Sequence, residues 1–283
     1  MKVYDVFPFF NELDILEIRL KELWNVVDYF VLVESNLTFT GNSKEFIFEN
    51  NKDKFKPFLE KIRYIKIEDM PETNDPWIRE KFQRNAGSRG LYDLEPEDVV
   101  IVSDCDEIAR AEMIELITED ENNYDRYLLY IPQFNFRLNY MKISERSRHC
   151  QIAISKGRVF TEPQLEREYT FFWTPKPENT VMVDHGGWHF TFQGDDENSL
   201  IKFRSYSHTE KNVESVTDGF SIDWMIRNKY GFEGVREDNK ERFEYVIVDD
   251  YFPECITGDV ERWKHLIIPD AVFRVYDLYR END

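Results

Sequence analysis

Asp104 and Asp106 stand on either side of one cysteine, directly after the run Val99-Val100-Ile101-Val102-Ser103. Residues two apart in an extended segment point the same way, so both carboxylates are expected to face one point at the strand's carboxyl end. Two carboxylates aimed at one point are a seat for a divalent cation. The spacing alone is a weak signal: 56 of the 283 residues are acidic, and about eleven acid-x-acid pairs would arise in such a chain by chance. Position gives the pair its weight. Four consecutive β-branched apolar residues read as a strand buried on both faces of a parallel α/β sheet, and open sheets of that kind bind their ligands beyond the carboxyl ends of the strands.

Several elements must position this pair. Residues 2–7 read as a first strand, broken by Pro8, and Asn11 is placed to cap a helix over 12–24 whose core face is Leu13, Leu16, Leu20 and Leu23. Residues 29–33 form a second buried strand ending at Glu34, and residues 62–67 a third ending near Asp69. Asp75-Pro76 opens a helix that carries Trp77, Arg79, Arg84 and Asn85 toward Gly87 and Gly90. Glu95-Pro96-Glu97-Asp98 then turns the chain into the acidic strand. Strands alternating with helices over residues 1–110 predict a doubly wound, Rossmann-type α/β sheet. The character changes over residues 111–283. Segments 127–136, 151–160, 168–173, 181–184 and 188–192 are short and aromatic, with no room for crossover helices, which predicts antiparallel or mixed strands. Helices are expected near 199–204, 215–229 and 259–266. The whole reads as a single domain, 1–283, in two halves with a cleft between them.

Composition narrows the partners. No Gly/Ser-rich or Pro-rich linker divides the chain, and a formal charge of −20 argues against a nucleic-acid backbone or an anionic membrane as partner. An anionic small ligand would need a metal or a local basic group. Aromatic residues make up 16% of the chain, more than a core requires, which leaves several rings free to line a carbohydrate groove. The three cysteines, Cys105, Cys150 and Cys255, are an odd number without metal-ligand spacing and point to a reducing compartment. No charged-then-apolar leader precedes the first strand and no apolar run approaches a membrane span, so the polypeptide is expected to be soluble and cytoplasmic.

Five stretches, in one order over about two thirds of the chain, resemble glycosyltransferase family 17. They are Tyr4-Asp5-Val6-Phe7-Pro8-Phe9-Phe10-Asn11-Glu12-Leu13-Asp14-Ile15-Leu16-Glu17-Ile18-Arg19-Leu20, Phe30-Val31-Leu32-Val33-Glu34-Ser35, Gln83-Arg84-Asn85, Ser103-Asp104-Cys105-Asp106-Glu107-Ile108 and Gly187-Trp188-His189-Phe190. The family's characterised members transfer N-acetylglucosamine from a UDP-sugar to the β-linked core mannose of N-glycans. The resemblance implies a GT-A-like fold, a nucleotide-sugar-binding half (1–110) and an acceptor-side half (111–283). It also implies inverting transfer from a UDP-sugar donor to a glycan acceptor, assisted by Mn²⁺ or Mg²⁺. Asp106 is then expected to bind the metal, with Asp104 reaching the ribose or sugar and possibly a metal-bound water, and His189 as a candidate third ligand, His208 standing next in line. Pro8, Phe9, Asn11, Glu12, Glu34, Arg84 and Asn85 would surround the uridine and sugar, although Asn11 is as readily a helix cap. Glu107 would brace the pair or simply begin a following helix. Lys202 would face the diphosphate or be an ordinary exposed lysine. Inversion requires a carboxylate to take the acceptor hydroxyl's proton, for which Asp184, Glu210 and Asp223 are candidates. Trp173 and Trp188 would stack on acceptor sugars or lie in the core.

Two rival readings are kept. An aspartyl-phosphate-type phosphatase would use Asp104 as nucleophile, Asp106 as acid and Asp249-Asp250 as a later metal-binding pair. A non-catalytic nucleotide-sugar or glycan-binding module would keep the pocket without the reaction.

Overall fold

A computed structural model describes residues 1–122, 124–143, 148–209, 220–231 and 242–280. Strand β1 (Val3–Phe9) leads through Glu12 into helix α1 (Leu13–Leu23), which buries Leu16, Leu20 and Leu23 completely. Strand β2 (Tyr29–Ser35), a short helix α2 (Ile47–Asn51) and strand β3 (Ile62–Ile67) follow. Helix α3 (Pro76–Ala86), capped by the Asp75 carboxylate accepting from Trp77 N–H, precedes the fully buried strand β4 (Val99–Val102). All four strands are parallel, in the order β3-β2-β1-β4. The α/β expectation for the first half therefore holds, and its apolar runs are buried because both sheet faces are covered.

Two expectations fail here. Pro8 does not end β1, which stays paired with β2 as far as Phe9↔Glu34. The ladder to β4 stops at Val6↔Val102, so the missing N–H of Pro8 falls on a side with no partner strand. Nor does the Asn11 side chain cap α1. Glu12 occupies the cap position, and its carboxylate turns back to accept from the N–H groups of Phe10 and Asn11 at 3.1 and 3.0 Å.

After β4 the chain does not continue extended. Residues 103–106 turn, with Glu107 N–H donating to the Asp104 carbonyl at 3.0 Å, and a short strand β5 (Glu107–Ala109) precedes helix α4 (Ala111–Glu119). The sheet then becomes mixed. Strand β6 (Arg126–Asn135), strand β7 (Tyr140–Lys142) and strand β8 (Arg148–Lys156) follow in sequence, and β8 inserts between β4 and β6, antiparallel to both. Residues 168–173, expected as a strand, instead close helix α5 (Pro163–Glu168) and a turn. Pro163 sits in the first turn of α5, and Glu166 inside it forms a buried pair with Arg126 at 2.9 Å. Strands β9 (Thr180–Val183) and β10 (Gly187–Thr191) both run parallel to β6, and β10 also pairs antiparallel with β5. Helix α6 (Asp196–Ser205) follows. Of the helix expected over 215–229, Ile222–Arg227 is helical, and residues 215–219 lie outside the described residues. The last expected helix is Val260–Trp263 extended by one tighter turn. Among the described residues no helix is long and apolar enough to cross a membrane.

One buried ion pair ties α1 and β1 to the turn after β4. Arg19, on α1, is wholly buried and donates to both carboxylate oxygens of Asp5 on β1, at 2.7 and 2.5 Å. The same guanidinium donates to Ser103 Oγ (2.8 Å) and to the carbonyls of Asp104 (2.9 Å), Cys105 (3.2 Å) and Glu107 (2.9 Å). The acidic turn is thus built around a cation that never meets solvent. Replacing Arg19 by Met should cost about 3–5 kcal/mol of stability, the usual loss when one member of a buried pair is removed. Chemical denaturation measures this directly, and a loss below about 1 kcal/mol would mean the turn stands without it.

Candidate active site

A cleft of about 920 Å³ opens where the acidic turn meets α3, α5, α6 and β10. Each wall delivers its side chains for a local reason. Gln83, on the inner face of α3, donates to the Val33 carbonyl at 2.9 Å and so fixes the helix over β2, which directs the neighbouring Arg84 into the cleft. β10 comes in through Gly186-Gly187, where a side chain would not fit: a Cβ on Gly187 would lie 2.0 Å from the Ile108 carbonyl oxygen. The close approach sets the register His189↔Glu107 and allows Phe190 N–H to donate to the Asp106 carbonyl at 2.8 Å. α6, capped by Asp195 accepting from Asn198 N–H, brings Lys202 to the same point.

The two aspartates are divided between two sets of partners. Asp104 accepts from Arg84 at 2.8 Å, with Arg167 at 3.4 Å on its other oxygen. Asp106 Oδ2 lies 2.6 Å from Lys202 Nζ, and Asp106 Oδ1 lies 3.6 Å from His189 Nε2. Lys202 also reaches Glu12 at 2.8 Å. Of the two roles expected for Glu107, the structure shows the brace: it begins β5, not a helix, and accepts from Asp104 N–H and from Arg167, each at 2.8 Å. Arg167 was not anticipated from the sequence.

Burial and these neighbours set the protonation states. Burial would raise the Asp104 carboxyl, but the guanidiniums of Arg84 and Arg167 outweigh it and hold the group well below the usual carboxylate range. Burial likewise opposes ionisation of Asp106, and the Lys202 ammonium reverses that. For Lys202 the order is the same: burial lowers its pKa, Asp106 and Glu12 more than restore it, and the ammonium is kept. Burial pushes Glu107 up to about 8 against the pull of Arg167. It pushes His189 down to about 4 against Asp106, so the imidazole is neutral at pH 7.

These groups bear on a divalent cation as follows. Among the described residues no three His, Cys, Asp or Glu side chains gather as a ready metal cluster. The donors that do fit are Asp106 and His189, a carboxylate beside a neutral imidazole whose Nδ1 is buried with no partner, which suits Mn²⁺ or Mg²⁺. Asp104 is turned to the two arginines, and Glu12 lies beyond Lys202.

Of the expected donor contacts, Pro8, Phe9, Glu12, Arg84, Asp104 and Lys202 line the cleft. Asn11 faces a small side cavity. Glu34 is fully buried and accepts from Tyr64 Oη (2.7 Å), Lys44 Nζ (3.1 Å) and the N–H groups of Ile47 and Phe48, holding the start of α2 rather than facing a ligand. Asn85 accepts from Gln164 N–H at 2.8 Å and tethers α5. Asp184 and Asp223 are exposed and away from the cleft, while Glu210 lies outside the described residues. Trp188 is buried and donates to the Tyr251 carbonyl, so it belongs to the core. His208 lines the cleft, edge-on to Trp77 at 4.7 Å.

Comparison with known proteins identifies the family. The model of glycosyltransferase family 17 matches residues 1–267. Over 106 residues the chain is 34% identical to the proteins named beta-1,4-mannosyl-glycoprotein 4-beta-N-acetylglucosaminyltransferase of Homo sapiens and Rattus norvegicus. Each match covers 35% of this chain and 20% of the relative, so the chain spans about a fifth of the length of the curated relatives it matches. Among solved structures, galactosyltransferase LgtC in complex with donor and acceptor sugar analogs aligns over 94% of this chain and 95% of that chain. Its sequence identity is 10% and its TM-score 0.35, a likeness too distant to inform the chemistry here.

The neutral state of His189 generates a pH dependence. Its folded-state pKa of about 4 lies below the ordinary value of 6.5. Between those values the unfolded chain binds more protons, so the contribution of neutral His189 is full above pH 6.5 and is lost as pH falls toward 4. The loss is of the order of 3 kcal/mol at most, taking about 1.4 kcal/mol per pKa unit. Denaturation of His189→Asn across this range should show a flatter acid limb than the parent. Identical acid limbs would mean that His189 is not held neutral.

Proposed function

Because the chain belongs to glycosyltransferase family 17, we propose that it moves a sugar, N-acetylglucosamine, from a UDP-sugar to a hydroxyl of a glycan acceptor, with inversion at the transferred carbon and with Mn²⁺ or Mg²⁺ as cofactor. The observation that carries this reading is the charge of the cleft. The protein as a whole has a formal charge of −20. Its cleft, however, is lined by five basic side chains, Lys44, Arg84, Lys142, Arg167 and Lys202, against five acidic ones, Glu12, Glu80, Asp104, Asp106 and Glu107. A cavity with balanced charge in so acidic a molecule is suited to a ligand that carries negative charge of its own.

The chain's own groups account for the demands of such a transfer. As the glycosidic bond to the diphosphate breaks, negative charge grows on the leaving oxygen. Arg84, Arg167 and Lys202 offer fixed positive charge that needs no reorganisation at that moment. Asp104 keeps the two arginines in place, and part of its carboxylate remains open to a sugar or ribose hydroxyl, its side chain being 34% exposed. A divalent cation, when bound, supplies further Lewis-acid neutralisation of the diphosphate, and Asp106 with His189 would hold it. Lys202, already between Asp106 and Glu12, is the chain's own cation at the same place. The acceptor's proton must go to a carboxylate at the cleft or to Glu210.

The phosphatase reading loses support in this geometry. A nucleophilic Asp104 would have to leave both arginines, and the later pair lies elsewhere: Asp249 accepts from Tyr251 N–H at 3.1 Å, and neither it nor Asp250 lines the cleft.

UDP-N-acetylglucosamine with Mn²⁺ should raise the melting temperature, and ligand at a hundred times its dissociation constant adds about 2.7 kcal/mol. Asp106→Asn should fold, lose transfer by about two orders of magnitude or more, and lose the Mn²⁺-dependent part of the stabilisation. Equal stabilisation of the parent in excess chelator would remove the metal from the scheme. Arg84→Met should separately weaken UDP binding by about tenfold, as expected for a lost charge-assisted hydrogen bond; unchanged affinity in calorimetry would place the diphosphate away from Arg84.

A further inference from the structure

Beyond α5 the chain holds three aromatic residues in a braced turn. Phe171 N–H donates to the Glu168 carbonyl at 3.2 Å, and Thr174 N–H to the Phe171 carbonyl at 3.0 Å. Lys176 Nζ reaches back to the carbonyls of Phe171 and Thr174 at 2.5 and 2.9 Å. Phe171 lines the cleft, its ring centre 5.9 Å from the Arg167 guanidinium that contacts Asp104. Trp173 stacks on Phe171 at 5.0 Å with 24° between the planes, and Phe172 meets Trp173 edge-on at 4.8 Å. The outer two rings face solvent: Phe172 is 89% exposed and Trp173 67%. Two large rings held in water by a turn this well braced forgo the stabilisation that burying their apolar surface would bring.

We propose that Trp173, with Phe172 beside it, is a stacking subsite for a neutral pyranose of the acceptor glycan, at the mouth of the cleft. The proposal rests on the transferase reading above and extends it to the acceptor. A pyranose presents a flat C–H face that an indole covers well, with hydroxyls around its edge, and such a ring needs no counter-charge. The ledge matches this. Its surface is apolar, and the turn that carries it is held by the Lys176 ammonium on its own carbonyls. Phe171 connects it to Arg167 and Asp104, so a glycan lying on Trp173 has its next units directed toward the donor site. Other occupants fit less well. A second copy of the chain would need about 800 Å² per partner, far more than two rings supply, and an anionic membrane is repelled by a net charge of −20.

The test uses the full chain with mannotriose and chitotriose as probes, read by saturation-transfer NMR, and UDP with Mn²⁺, read by thermal shift. The expected result is saccharide binding by the parent, weakened at least tenfold in Trp173→Ala and retained in Trp173→Tyr, with the UDP shift the same in all three. Unchanged saccharide binding in Trp173→Ala overturns the subsite, as does a parent that binds neither trisaccharide. So does a self-association in sedimentation, or a binding to neutral vesicles, that the Ala variant abolishes. A parent that binds saccharide at Trp173 but gives no shift with UDP would sink the transferase reading while leaving the subsite standing, so the two failures are distinguishable.

Discussion

The Arg19–Asp5 pair is the constraint on which the site depends. A wholly buried guanidinium is costly to desolvate, and here every donor group is used: two bonds to a carboxylate on β1, one to a hydroxyl, and three to carbonyls of the turn that carries Asp104 and Asp106. Those carbonyls point inward because Arg19 is there to receive them. With the backbone fixed from below, the two aspartate side chains have nowhere to go but up into the cleft. The same turn then receives β10 from the other side, through Phe190 N–H on the Asp106 carbonyl. The acidic pair is therefore held by backbone on both faces, and its carboxylates remain available for side-chain and ligand contacts.

Within the cleft, charge is arranged in alternation. Arg84, Asp104, Arg167 and Glu107 form one chain of contacts; Glu12, Lys202, Asp106 and His189 form another. Within these networks Asp104, Asp106 and Lys202 stay ionised where burial alone would neutralise them, while burial prevails at Glu107 and His189. The diphosphate of the proposed donor would meet cations already oriented by carboxylates, and the cost of orienting them is met in folding rather than in binding.

Much of this was legible in the residues. The parallel strands of the first half announce themselves as β-branched runs, and the Asp75-Pro76 start of α3 holds as read because a cap and a first-turn proline are local chemistry. The acidic pair was found by its place after a buried strand, although a turn, not pleat alternation, separates the two side chains. What escaped was set by tertiary contacts. Glu34 looks like a strand-end ligand until the start of α2 folds over it. Residues 168–173 are aromatic enough for a strand, yet the buried Glu166–Arg126 pair and Pro163 hold the stretch before them as a helix. Arg167 carried no local signal at all. It matters because α5 packs beside α3, and nothing in a single sequence places residue 167 against residue 104. The candidate bases Asp184 and Asp223 were chosen by residue type alone, and residue type says nothing about which side of a sheet a loop will take.

The docking of β10 onto β5 has a consequence for how the protein comes to exist. Residues 1–110 contain both aspartates and Arg19, yet Arg167, His189 and Lys202 arrive from 60 to almost 100 positions farther along the chain. While the polypeptide is being made, this first half can gather its parallel strands around local and mid-range contacts. Its two carboxylates meanwhile lack all of their far partners and repel one another. The site is complete only once the segment through Gly186-Gly187 has docked against Ile108 and α6 has brought Lys202, so its far cations join it only after the second half has packed against the first.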